Sequence, residues 1–238
     1  MKIPTITGII DRRILVNFTV DPEIAKAVVP SPFKPKIVNG KAIAGICLIR
    51  LKHVRPKGLP AFTGVGSENG AHRFAVEWEE DGQLKEGVYI PRRDTSSLFN
   101  TITGGRIFPG KHYRAKFDVS EANGNYHVAF TSTDGTIISI DATIKETFGD
   151  QSIFKDLNTA SDFFKAGATG YSPNRNQYEG LLLKTDKWVV KPLEVSNVKS
   201  SYFENEQLFP AGSVKFDNAL LMENIPHEWS SVLNKTRC

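Results

Sequence analysis

Hydrophobic and polar positions along the chain alternate mostly with the two-residue period of β-strands. Residues 13–20, RILVNFTV, are dense in apolar and β-branched side chains and predict a strand. DPEIAKAVVP follows, with Asp21 placed as N-cap, Pro22 at the first helical position, Glu23 in the first turn and Pro30 as a stop, so a short helix is predicted. Asn39-Gly40 is a two-residue hairpin signal between KPKIV and KAIAGICLIRLKHV. The second of these runs is nearly all apolar at its start, as in a strand covered on both faces. After the turn-rich PKGLPAFTGVGSENG, the runs AHRFAVEWEE and EGVYIPRR meet through Asp81-Gly82 as a second hairpin. DTSSLFNTITGG predicts a helix with Asp94 as N-cap and Gly104-Gly105 as its end.

KHYRAKFDVS, NYHVAFTST and TIISIDATIKE then read as a three-strand meander with turns at Asn123-Gly124 and Asp134-Gly135. Its first strand puts Tyr113, Ala115, Phe117 and Val119 on one face and Arg114, Lys116 and Asp118 on the other. LNTASDFFKAG predicts a helix capped by Ser161 or Thr159 and closed by Gly167. GLLLKTDKWVVKPLEV and VKSSYFE are further strand candidates, and the tail is weakly amphipathic around residues 220–225. With no repeat or long linker, residues 1–238 are expected to form one mainly β domain with a few outer helices.

Composition narrows the function classes. Of 238 residues, 40% are hydrophobic, enough for a sizeable core, and no run approaches a membrane helix. The start, MKIPTITGIIDRR, lacks the apolar stretch of a secretory signal, so a cytoplasmic chain is expected. The net charge of +4 is spread in pairs such as Arg12-Arg13 and Arg92-Arg93. That dispersal reads as a solvated surface, and no nucleic-acid partner is expected. The two cysteines, Cys47 in an apolar run and Cys238 at the end, fit a buried and an exposed thiol without a bridge. Five histidines show no ligand spacing, so neither a metal nor another cofactor is expected.

Two places could carry chemistry. GGRIFPGKHYRAKF gathers Arg106, Lys111, His112, Arg114 and Lys116, and cations at that density lower a neighbouring amine's proton affinity. A neutral lysine there could form a Schiff base with a carbonyl; the competing reading is a strand with a basic, solvated face. Glu68 stands in GVGSENGAHR, where glycines let backbone approach a ligand and a carboxylate could act as acid or base; a plain surface loop is the alternative.

FFKAGATGYSPN, GLLLKTDKWVVKPLEV, SSYFE and FDNALLMENIPHEW occur in that order. Together with the segment from NFTVDPEIAKAVVP to LKHVRPKGLP, they resemble an uncharacterised bacterial family of acetoacetate-decarboxylase-like proteins, over residues 12 to 230. The resemblance implies a mainly antiparallel β barrel or cone closing around an apolar cavity, with helices outside. Decarboxylases of that superfamily carry a Schiff-base lysine directly after a Phe/Tyr-Pro pair, then a second lysine. Here the stretch is Phe108-Pro109-Gly110-Lys111, with Gly110 at the nucleophile's place.

The resemblance therefore implies a small-molecule-binding protein without decarboxylase activity, its ligand anionic or carbonyl-bearing, such as a keto acid. Arg12 or Arg13, Arg106, Phe108 and Gly110 would line the site. The alternative it implies is a lyase on a keto acid, with Lys111 as Schiff base, Glu68 as acid/base and Arg12 or Arg13 holding the carboxylate. Self-association is left open.

Overall fold

The computed structural model describes residues 4–98, 109–174 and 177–232. Along the chain it forms β1 (Ile6–Val20), α1 (Pro22–Val28), the short β2 (Lys34–Pro35) and β3 (Ile37–Val38), β4 (Lys41–Pro56), β5 (Val65–Glu80) and β6 (Gln83–Thr95). These are followed by β7 (His112–Ala122), β8 (Asn125–Ser132), β9 (Ile137–Ile144), α2 (Leu157–Ala166), β10 (Thr169–Asn174), β11 (Gln177–Lys184), β12 (Lys191–Ser200) and β13 (Val214–Val232). Among the described residues, no helix is long and apolar enough to cross a membrane.

The local signals act as chemistry requires. At Asn39-Gly40, Asp81-Gly82 and Asn123-Gly124 both residues take positive φ, the turn whose twist matches its flanking strands. The Asp21 carboxylate accepts the Glu23 N–H at 3.0 Å and starts α1.

Other expectations are corrected. Asp94 does not cap a helix: it lies within β6, where its carboxylate is taken by Arg92 and the Ser132 hydroxyl. The rest of that predicted helix, residues 99–108, lies outside the described residues. α2 is capped by Asp156, which accepts the Thr159 N–H at 2.8 Å, and not by Thr159 or Ser161. Glu68 sits in strand β5 rather than a loop, and residues 220–225 belong to β13.

Among the described residues the strands join into one large mixed sheet, parallel only where β6 meets β7 and β10. Its pairings close on themselves twice. One ring runs β13–β1–β4–β5–β6–β7–β8–β9–β12 and back to β13. The other returns from β6 through β10 and β11 to β13. The five strands β13, β1, β4, β5 and β6 are common to both rings, so each has two covered faces over its central part.

This double coverage explains the apolar run of β4. Ala44, Ile46 and Leu48 enter the core of the first ring, with Ile14, Val16, Phe74, Val128 and Ile140. Ile43 and Cys47 face the second, with Leu15, Ala75, Ile90 and, from α2, Phe164. A register shift between Ile10 and Arg12 against β4 places a bulge at Asp11, which brings Ile10 and Arg13 to the same face.

Candidate functional site

The second ring encloses a cavity of about 130 Å³. Ile49, Leu51, Ile90, Leu181 and the indoles of Trp188 and Trp229 make its apolar wall. Its polar atoms come mainly from three arginines, Arg13, Arg73 and Arg93, with Cys47, Asn69 and His112.

Each guanidinium is held by neutral groups. Arg13 donates from Nε to Cys47 Sγ at 3.3 Å and lies 5.8 Å from the Trp188 ring centroid. Arg73, only 4% exposed, donates to Asn17 and sits 4.9 Å from the Phe164 ring. Arg93 donates from Nε to the Ser172 hydroxyl at 3.2 Å. Among the described residues none of the three forms an ion pair, and Arg13 Nη1 and Arg73 Nε have no hydrogen-bond partner. Asp94 also lines the cavity, but Arg92 and Ser132 occupy its carboxylate.

Burial drives the Arg73 pKa down to about 10, with repulsion from Arg13 adding to it. Burial likewise lowers Arg93 to about 10. His112, buried and beside Arg93, is lowered to about 4, so its imidazole is neutral at pH 7. Its Nδ1 lies 3.2 Å from the Gly110 carbonyl and, in the neutral ring, donates to it.

The residues singled out from sequence divide between places. Arg13 enters the cavity; Arg12, its neighbour, points to the opposite face of β1. There Arg12 is 2% exposed and bonds Glu68 at 2.6 Å and Glu121 at 2.5 Å. Arg50, directly across from Glu68 on β4, bonds the same two carboxylates. Against the lowering that burial brings, Glu68 and Glu121 raise the Arg50 pKa. Glu68 is thus a partner of arginines in the first ring and does not line the cavity.

Lys111 is exposed, its ammonium 4.5 Å from the Tyr113 ring, and it does not line the cavity either. The two residues that the lyase alternative would bring together, Lys111 and Glu68, thus lie apart from the cavity. Adjacent strand positions face opposite ways, and Glu68 lies on the wrong one for the cavity. Arg106 and Phe108 lie outside the described residues.

Gly110 is buried with φ +89°, and a Cβ there would stand 2.7 Å from Ser172 Cβ and 3.1 Å from its hydroxyl. Gly110→Ala should lower unfolding free energy by about 2 kcal/mol, since both the backbone and the space oppose a side chain. Gly110→Lys should be at least as costly and give no borohydride-trapped imine with a keto acid. Urea melts and mass spectrometry read both outcomes.

Arg73 and Arg93 were not singled out from sequence; Arg92-Arg93 read as surface charge. Arg73 had a signal: in AHRFAVEW the same-face neighbours at two residues either side are Ala71 and Ala75, which leave room for a long buried side chain.

Comparison with known structures places this architecture among the acetoacetate-decarboxylase-like folds. Acetoacetate decarboxylase from Legionella pneumophila aligns over 98% of this chain and 89% of its own, with a TM-score of 0.65 at 11% identity. An acetoacetate decarboxylase-like enzyme from Sphingomonas wittichii RW1 aligns over 99% and 92%, with a TM-score of 0.56 at 9% identity. The enduracididine biosynthesis enzyme MppR, complexed with pyruvate, aligns over 95% and 87%, with a TM-score of 0.58 at 8% identity. At such identities the likeness is one of fold. No curated protein sequence matches this one. The chain belongs to the DUF2071 family, described as an uncharacterized conserved protein, whose model matches residues 10–222.

Proposed function

We propose that this chain is a single-domain binding protein for a small carboxylate with an apolar body, taken up in the second ring without Schiff-base chemistry. The observation that carries this reading is the trio Arg13, Arg73 and Arg93 around one cavity with no ion pair among the described residues. Burying a cation without an opposite charge is costly, and a bound anion relieves that cost for all three at once. Guanidiniums suit carboxylates because their paired N–H groups match two oxygens. The tryptophan and leucine wall suits the rest of an apolar acid. Pyruvate, the ligand of one MppR complex, is itself a small carboxylate. The lyase alternative requires an amine in the cavity, and the Lys111 ammonium lies outside it.

Calorimetric titration with benzoate and pyruvate, against neutral benzamide, tests the proposal. Saturable binding of at least one acid and none of the amide is expected; no saturable binding of either acid refutes it. Arg73→Met gives a sharper result, because the two effects have opposite sign. The free protein should gain about 2 kcal/mol in stability, as a buried unpaired cation is removed. Acid binding should weaken roughly thirtyfold or more, as expected for truncating one side of a buried charge contact. A variant less stable and equally tight in binding would overturn the assignment.

A further inference from the structure

Cys47 is the one described cysteine, it lines the cavity, and it is 8% exposed. Its sulfur accepts from Arg13 Nε, while Nη1 of that same guanidinium has no partner among the described residues. Arg73, more than nine-tenths buried, lines the same cavity with its Nε likewise unpartnered. Sulfur and anion-seeking donors thus share one small enclosure. Two arrangements could explain a buried cysteine here. As a small hydrophobe it would sit among apolar atoms only; instead it is bonded by a cation whose other nitrogen is open.

We infer that Cys47 is a nucleophile directed by these arginines toward short carboxylic acids carrying an electrophilic carbon within two bonds of the carboxyl carbon. The inference rests on the carboxylate reading of the cavity and assigns the fate of one class of its ligands.

Attack requires the thiol to give up its proton as the S–C bond forms. A carboxylate held on Arg13 Nη1 and Arg73 Nε brings the carbon next to it toward Sγ, converting a chance encounter into a positioned one. With an α,β-unsaturated acid, sulfur adds to the β-carbon, the C=C π bond breaks and the α-carbon takes up the proton. With an α-halo acid, the S–C bond forms as the carbon–halogen bond breaks; halide leaves with the electron pair and the thiol proton passes to water. Neither step needs an oxidant or a reductant. The product is a thioether.

The test uses the full chain with Cys238→Ser, so that Cys47 is the only thiol of the original two. Alkylation by iodoacetate and by its neutral counterpart iodoacetamide is followed by mass spectrometry, folded and in urea. The iodoacetate-to-iodoacetamide rate ratio should be about tenfold or more higher in the folded protein, the scale of one modest charge attraction in a partly shielded site. Benzoate should slow iodoacetate, and Arg13→Gln should return the ratio toward its value in urea.

A folded ratio equal to that in urea, or a Cys47 that resists both reagents, overturns the inference. If benzoate binds while Cys47 resists, the nucleophile assignment falls and the carboxylate pocket stands. If benzoate neither binds nor protects and the ratio is unchanged, both fall. Selective alkylation without benzoate binding supports the directed thiol and removes benzoate-like acids as its ligands.

Discussion

Between pH 7.5 and pH 5 the protein should lose about 6 kcal/mol of stability, from three buried histidines at about 2 kcal/mol each. Burial, then the Arg92 charge, lowers His72 to about 3. Burial and Arg93 lower His112 to about 4, and burial lowers His227 to about 4. In the unfolded chain each imidazole takes its proton near pH 6.5. Below that value the unfolded state binds more protons than the folded one, so stability falls with pH. The loss levels off near pH 4 for His112 and His227 and near pH 3 for His72.

Because domains of this kind are typically stable by only about 5–15 kcal/mol, acid unfolding should set in well above the carboxylate range. Asp94, 4.0 Å from His72 Nδ1, does not rescue its charged form, being already bonded to Arg92 and Ser132. His72 is fully buried with its ring 4.5 Å from Tyr202 and 5.8 Å from Phe203. His72→Phe should therefore be accepted and remove about a third of the pH dependence. Urea unfolding at the two pH values measures both; a stability unchanged across the range would refute the account.

Glu68→Ala should destabilise the protein by about 3 kcal/mol, the scale of a buried pair that loses one partner. Among the described residues Arg12, at 2% exposure, then keeps only Glu121, and Arg50 loses its Nε bond across the strands. Arg12→Met with Glu68→Leu together should recover much of the loss, since the fault lies in the charge left behind rather than in the volume removed. A single-variant loss below about 0.5 kcal/mol, as at exposed pairs, would show that the cluster is no more than surface decoration. Benzoate affinity should be little altered by Glu68→Ala, because this carboxylate lies across the sheet from the cavity.

Sequence alone was a good guide wherever geometry is set within a few residues. Asn39-Gly40 and Asp81-Gly82 admit few backbone conformations, so their hairpins could be read directly. The family resemblance supplied the architecture that these turns do not contain. What could not be read is which side of a two-faced strand each charge takes. Arg12-Arg13 and Arg92-Arg93 read as solvated pairs, yet in each doublet one member serves the first ring and the other lines the second. That sorting depends on the bulge at Asp11 and on closure of strands far apart in the chain. Glu68 was misplaced for a related reason: its glycine-rich surroundings mark the close packing of strand β5, where a Cβ on Gly70 would meet Phe130 at 2.6 Å.

The shared strands β13, β1, β4, β5 and β6 act as a party wall between two rooms, and neither room has an outside on that wall. In an ordinary sheet a one-residue slip trades buried for solvated positions, and some polar groups gain water in exchange. In this wall the slip would trade the furnishings of the rooms. Arg12 would enter the apolar cavity, and Arg13 would stand against Glu68 and Glu121 without the fit that Arg12 now has. Insertions and deletions should therefore be borne by the exposed connection at residues 57–64, between β4 and β5. Changes of length within the wall would cost both rooms together.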